Sequence, residues 1–398
     1  MTRRALLALL LIFHLTSSQK QNNLASSPKT VSAASDPDAN VTERQSGSVA
    51  TAAPEALTGA ASNRAIVSYY GASVREAYVE QPAATLVRLA EAHQRFGAGA
   101  GIVAIIDTGV DPSHPALARS LVQGYDFTRN TTLVNETFDL DPLAAAKLAQ
   151  STVAFLDSQA ARLNQSTVAF LDQSTVAFLD GKLPAAFGHG TMVAGLVHLV
   201  APTAKIMPLK AFRADGTSRV PDIVRAVYYA ADHGATVINM SFSLSGSSPE
   251  LAEALEYATS RKVICVASAG NMGKPVKLYP AGYSDVIGVG STNLLDKRSA
   301  FSNYDVSSAK TAAPGEALIT TFPGNHYAGV WGTSFSGALV SGGVALLLQA
   351  RHSASLDQVE DALDHGAEIE QKMGDARLDL VSSIQYLLHD EDSRKRKD

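Results

Sequence analysis

The sequence predicts an α/β protein whose mostly parallel sheet carries helices on both faces. Three observations predict it: short apolar runs rich in β-branched residues, helical stretches lying between them, and glycine-bracketed polar residues where such runs end or such helices begin. The runs are Ile102–Ile106, Val237–Met240, Val263–Ala267 and Val286–Val289. They are apolar throughout instead of alternating, which predicts strands buried on both faces. Pro221–His233 and Pro249–Ser260 predict two of the helices between them. In sheets of this kind chemistry gathers beyond the carboxyl ends of the strands, and Asp107 directly follows the first run.

At 398 residues and 46% hydrophobic content, the chain is able to bury a large core in one big domain or two modest ones. A net charge of −5, with no basic stripe interleaved with aromatics, argues against a nucleic-acid surface. Met1 to Ser18 runs from two arginines through apolar Ala5–Phe13 to small polar residues, the three-part plan of a secretory signal. That apolar run is far shorter than the ~20 residues that cross a bilayer, so no stable membrane anchor is expected. The protein is expected to be exported, periplasmic or extracellular, and to act as a monomer. Cys265 is the single cysteine, so no intrachain disulfide forms, and its apolar neighbours predict a small buried hydrophobe.

Residues 19–63 are rich in Ser, Ala, Thr and Asn and hold too little apolar surface to offset the entropy of ordering, which predicts a linker. The low-complexity stretch, a linker or short pro-segment, is expected to reach residue 81. From Pro82 the spacing of Leu86, Leu89, Ala90 and His93 predicts one helix face, ended by Phe96-Gly97. A single globular domain is expected over 82–385, with a charged, solvated tail at 386–398 containing Arg394-Lys395-Arg396-Lys397. Gln-Ser-Thr-Val-Ala-Phe-Leu-Asp occurs at 150–157, 165–172 and 173–180. Units this short do not build a solenoid, so the copies read as a local duplication inserted in the chain, and exposed copies would be aggregation-prone.

Asp107, His189 and Ser334 supply an acid, a base and a nucleophile, in that chain order. A serine hydroxyl is a poor nucleophile until an imidazole takes its proton, and the imidazole needs a carboxylate to hold its tautomer. His189, between Gly188 and Gly190, is placed at an uncrowded helix start before Met192–Leu196. Ser334 follows Gly332-Thr333 and opens the apolar stretch Ala338–Leu348, so its hydroxyl lies where free N–H groups favour developing negative charge. Asn271, in Ser268-Ala269-Gly270-Asn271, offers an amide NH2 that, with the Ser334 N–H, suits an oxyanion. Each signal is weak alone; four in this order are strong.

In these residues the chain resembles the subtilisin-like serine proteases, the subtilases, whose order is also Asp, His, Ser. The resemblance runs from about Gly101 to Leu348 and rests on Asp107-Thr108-Gly109-Val110-Asp111, Gly188 to Gly195, Ser268 to Asn271, Ala313-Pro314-Gly315, and Phe322 to Asn325 leading to Gly332-Thr333-Ser334. It implies an endopeptidase acting on polypeptides, built on a subtilisin-like three-layer α/β/α sandwich. It also implies that Gly216-Thr217-Ser218 and Ser241-Phe242-Ser243 hold the substrate as an added strand, with a specificity pocket beside the second.

Four departures qualify the resemblance. Phe335-Ser336-Gly337-Ala338 lacks the proline the family usually has after the nucleophile. The His189 helix runs directly into Val200-Ala201-Pro202 without a calcium loop, and Ala116 stands where a calcium-binding Asp is expected, so no metal is expected there. The stretch before Pro82 lacks the complexity of a folded propeptide, and the separation of Asp107 and His189 is long because of the repeat.

Other chemistries fit less well. The glycines at 97–101 precede a strand where a dinucleotide loop would follow one, and Gly-Thr-Ser-Phe-Ser lacks the closing glycine of a lipase-type elbow. No zinc spacing occurs, and water is the only co-substrate inferred. The alternative from another class is a silent pseudoprotease that keeps the peptide-binding edges while the repeat blocks turnover.

Overall fold

The four expected strands form the middle of a nine-stranded sheet in a computed structural model of the chain. The structure describes residues 63–141, 144, 175–176, 183–305, 307–369, 373–374 and 376–395. In chain order the first elements are β1 (Ile66–Tyr69), β2 (Ala72–Arg75), α1 (Glu76–Val79), α2 (Pro82–Leu86), α3 (Leu89–Phe96), β3 (Ile102–Asp107), β4 (Tyr125–Asp126) and β5 (Thr175–Val176). The middle of the chain forms α4 (His189–Val200), β6 (Lys205–Lys210), α5 (Val220–Asp232), β7 (Val237–Met240), α6 (Pro249–Ser260), β8 (Ile264–Ser268) and β9 (Val286–Thr292). The last elements are β10 (Thr311–Pro314), β11 (Leu318–Phe322), β12 (His326–Trp331), α7 (Thr333–Ala350), α8 (Leu356–Asp364), β13 (Ala367–Glu368), β14 (Ala376–Arg377) and α9 (Leu380–Lys395).

The sheet runs β13-β14-β10-β9-β8-β7-β3-β6-β4 and is parallel throughout except for the β13–β14 pair. Its continuous apolar strands hide a period of two. Val103, Ile105, Ile206, Val237, Ile264 and Val266 face one core with α4 and α7. Ala104, Ile106, Met207, Leu209, Ile238 and Cys265 face a second core with α5 and α6. The result is the three-layer α/β/α sandwich with a mostly parallel sheet.

Local chemistry explains where the helices start. Ser248 caps α6 by accepting from the Leu251 N–H at 3.3 Å, with Pro249 in the first turn where no N–H is needed. Ser355 and Gln358 form a reciprocal capping box on α8. Both α4 and α7 are apolar on all sides, which suits a helix enclosed by protein. Of the described helices only α7 is long and apolar enough to cross a membrane, and its burial in the core accounts for that composition.

Three boundaries differ from the sequence expectation. Ordered structure begins ahead of Pro82: Tyr69, Val74 and Tyr78 enter the main core, and the Tyr69 and Tyr78 hydroxyls donate to the Leu199 and Gly195 carbonyls at 2.5 and 2.6 Å. Strands of only four residues give too short an alternation to register as a pattern. The helix expected from Pro82 breaks in two at Arg88, whose φ of 55° is left-handed. At the other end α9 continues to Lys395 with Leu387 buried, so most of the stretch expected as a solvated tail is helical. Cys265 is buried, and burial pushes its thiol up to about 12, far from reactivity. The signal and the linker to residue 62 lie outside the described residues, as does the repeat apart from Thr175–Val176, which pairs antiparallel with Val330 and Trp331 of β12.

Candidate active site

The carboxyl edge of the sheet brings the expected residues toward one place. Asp107 is the last residue of β3, opposite Lys210 in the ladder with β6. His189 opens α4, and its Nδ1 lies 2.8 and 2.9 Å from the two oxygens of Asp107. Both side chains are buried. The Thr108 N–H donates to Asp107 Oδ1 at 2.7 Å and fixes the carboxylate from the other side. With Nδ1 turned to Asp107, Nε2 on the opposite edge of the ring is the nitrogen left for proton transfer.

The glycines around His189 have separate reasons. Gly188 sits at φ 86°, where L residues are strained. A Cβ on Gly190 would collide with the Gly109 carbonyl, so only glycine lets the start of α4 approach the turn after β3. That approach is sealed by the Gly190 N–H, which donates to Thr108 Oγ1 at 2.9 Å.

Ser334 is the second residue of α7 and is buried. The ring of Phe335, next in the chain, lies 5.7 Å from the His189 ring. Ser334 Oγ reaches the Ser241 carbonyl at 3.4 Å, and Ser241 Oγ donates to the Ser334 carbonyl at 3.0 Å. Asn239 Nδ2 donates to Ser241 Oγ at 2.9 Å, while Asn239 Oδ1 accepts from Ser341 at 2.9 Å. The end of β7 is therefore stitched to the first turns of α7.

Asn271 follows β8, and its orientation is set by its oxygen. Oδ1 accepts from both the N–H and the hydroxyl of Thr333 at 2.9 Å, which turns the NH2 toward the opposite side. Asn303 braces this turn: its Nδ2 donates to the Ala269 carbonyl at 2.9 Å and its Oδ1 accepts from the Met272 N–H at 3.1 Å.

The two segments expected to hold substrate have different local structures. Gly216, at φ 85°, and Thr217 lie in a tight turn closed by the Arg213–Thr217 bond at 2.9 Å, and Ser218 bridges back to Phe212. Ser241 is part of the α7 network, and Ser243 is half-buried. The Phe242 side chain packs on Phe212 at 4.9 Å inside the core.

Two buried ionisable residues near the Asp107–His189 pair escaped the sequence reading. Lys210 is fully buried, and its Nζ donates to the Thr108 carbonyl, the Phe212 carbonyl and Asp139 Oδ2, each at 2.7 Å. Three acceptors satisfy three protons. Glu136, in a 3-10 turn at Glu136–Asp139, accepts from Thr108 Oγ1 at 2.9 Å, the Gly188 N–H at 3.0 Å, and both the N–H and hydroxyl of Thr191. Burial pushes its carboxyl up to about 7, against the opposing pull of these donors and of Lys210. Asn135-Glu136-Thr137 reads in sequence as an ordinary polar loop, so no local signal marks it. Among the described residues no group of three or more His, Cys, Asp or Glu is placed to hold a metal ion.

The chain is a mostly parallel α/β sandwich with a carboxylate and an imidazole paired at the carboxyl edge of its sheet and Ser334 at the start of α7. Residues 99–383 match the Subtilase family, peptidase S8, and the chain belongs to that family. It is 33% identical over 264 residues to the thermophilic serine proteinase of Bacillus sp. (strain AK1), covering 66% of this chain and 56% of that one. The chain thus spans little more than half the length of that relative. It is 30% identical over 304 residues to thermitase of Thermoactinomyces vulgaris, covering 73% and 90% of the two chains. The fold is similar to that of a cold-adapted subtilisin-like serine proteinase, with a TM-score of 0.54 at 24% identity over 71% of this chain and 89% of the other.

Proposed function

We propose that the chain is an exported serine endopeptidase that hydrolyses peptide bonds by acyl transfer to water. The observation that carries the reading is the Asp107–His189 pair at 2.8 Å, buried beside the α7 start that bears Ser334. Ser334 Oγ attacks the peptide carbonyl, and His189 Nε2 accepts the proton and returns it to the leaving amine. Asp107 keeps the imidazole in the tautomer this requires and stabilises its charged form. The Asn271 NH2 and the Ser334 N–H hold the oxyanion.

Polypeptide substrate would add as a strand between Gly216–Ser218 and Ser241–Ser243, with the backbone of Phe242 as the contact. We place no calcium near Ala116, whose buried methyl brings no oxygen to a cation. Export rests on the signal-like Met1–Ser18, and the protein is read as a monomer without nucleic acid or a membrane anchor. The test is casein hydrolysis by purified protein and by Ser334→Ala. Wild type should cleave and Ser334→Ala should fall to background while keeping its circular dichroism spectrum; cleavage retained in the variant discards the assignment.

A further inference from the structure

We propose that Glu136 is a positioning residue for the Asp107–His189 pair, its carboxylate tying the turn after β3 to the amino end of α4 and acting on Asp107 through the single hydroxyl proton of Thr108. The inference rests on the hydrolase reading above and deepens it. Its basis is a count of donors and acceptors. Thr108 Oγ1 accepts from the Gly190 N–H at 2.9 Å, so its one proton is left to donate. Two carboxylates compete for that proton: Glu136 Oε2 at 2.9 Å and Asp107 Oδ1 at 3.3 Å. The shorter distance assigns it to Glu136 when Glu136 is ionised.

The other side of Glu136 is equally committed. Oε1 accepts from the N–H and hydroxyl of Thr191, and that hydroxyl in turn accepts from the Asp111 N–H at 2.8 Å. Oε2 also takes the Gly188 N–H at 3.0 Å, directly ahead of His189. One buried carboxylate therefore satisfies orphan donors at the start of α4 and holds the residue that follows Asp107.

Protonating or neutralising Glu136 changes this set of bonds. The Thr108 proton then turns to Asp107 Oδ1, which gains a hydrogen bond and loses basicity toward the imidazole. The negative charge that favours the imidazolium is lost at the same step, so both effects lower the affinity of His189 for its proton. Of the charged groups around Glu136, Lys210 on β6 draws its carboxyl down and Asp107 on β3 pushes it up, while Asp139 shares its turn. Lys210 is already bound to Asp139 and two carbonyls, which leaves Glu136 to neutral donors.

The test compares Glu136→Gln, Glu136→Asp and Thr108→Val with wild type. Glu136→Gln should lower kcat by about 10-fold or more with KM unchanged, as expected when only the transition state loses support. Its acid limb in kcat/KM should move to lower pH, and Glu136→Asp, which keeps the charge, should restore part of the rate. A second readout needs no activity: in a Ser334→Ala background, the His189 pKa measured by NMR should fall by ~0.5 units or more in Glu136→Gln. If Glu136→Gln does not fold, Thr108→Val, which removes the shared hydroxyl and with it the acceptor of the Gly190 N–H, carries the test through the resonance of the imidazole proton shared with Asp107. A folded Glu136→Gln with unchanged kcat and His189 titration overturns the proposal, as does an unmoved resonance in Thr108→Val. A wild type that cleaves nothing refutes the hydrolase reading and leaves the NMR comparison to decide on Glu136.

Discussion

The structure allows the two jobs of Asn271 to be separated. Its Oδ1 anchors Thr333 through two bonds of 2.9 Å, while its NH2 is the proposed oxyanion donor. Asn271→Asp keeps an oxygen for the anchor and replaces the donor with an acceptor. Loss of one such donor costs about 10²–10³ in kcat, ~2.7–4 kcal/mol, a magnitude known from subtilisin, and the new charge beside a developing oxyanion adds to it. KM should hardly move, because the donor acts on the transition state and not on the bound peptide. Asn271→Ala should lose the same rate and also leave the Thr333 N–H without its acceptor, costing a further ~1–3 kcal/mol of stability. In a domain of this size that is a drop of ~2–10 °C in Tm. The assay is steady-state hydrolysis of a chromogenic peptide amide, with Tm measured in parallel. A folded Asn271→Asp within ~3-fold of wild-type kcat would refute the oxyanion role.

Acid should weaken the fold through His114 and His198, whose imidazoles burial pulls down to about 4. Unfolded, they take up protons below about 6.5, so stability falls as pH drops from there to about 4, by ~3 kcal/mol for each histidine. Glu136 works in the opposite sense, since its folded value near 7 makes stability fall as pH rises from about 4.5 to 7. These three groups together contribute a net loss of ~3 kcal/mol at pH 4 relative to pH 7, to be isolated by urea unfolding of Ser334→Ala protein with and without His114→Phe and His198→Phe; a pH dependence unchanged by those substitutions counts against this. Deleting Gln173–Asp180 removes the two residues that pair with β12 but leaves the base of the excursion held by Glu136 on Gly188, so the protein should fold and keep measurable activity. Complete loss of activity in a folded deletion protein counts against reading the copies as a mere local duplication. Chelation with EDTA should leave Tm unchanged if Ala116 marks a calcium-free site; a fall of several degrees contradicts that.

The four central strands and the two helices expected between them were legible because burial on both faces writes itself as unbroken apolar runs. Val237–Met240 and Pro249–Ser260 match to the residue. The hairpin β1–β2 was not legible, because four-residue strands carry too little pattern and their meaning comes from distant partners such as Leu199. The same division holds at the site. Asp107, His189, Ser334 and Asn271 sit in local glycine-rich contexts that sequence displays. Glu136 and Lys210 owe their place to bonds with Thr191, Thr108 and Phe212, far from Glu136 in the chain and scattered around Lys210, and nothing nearby in sequence announces that burial.

Reaction of the purified protein with a fluorophosphonate, read by intact mass and peptide mapping, tests the account most directly. A single adduct on Ser334, absent from Ser334→Ala and strongly slowed in His189→Ala, is the predicted result. A folded wild type that remains unlabelled, or one labelled equally well without His189, would contradict it.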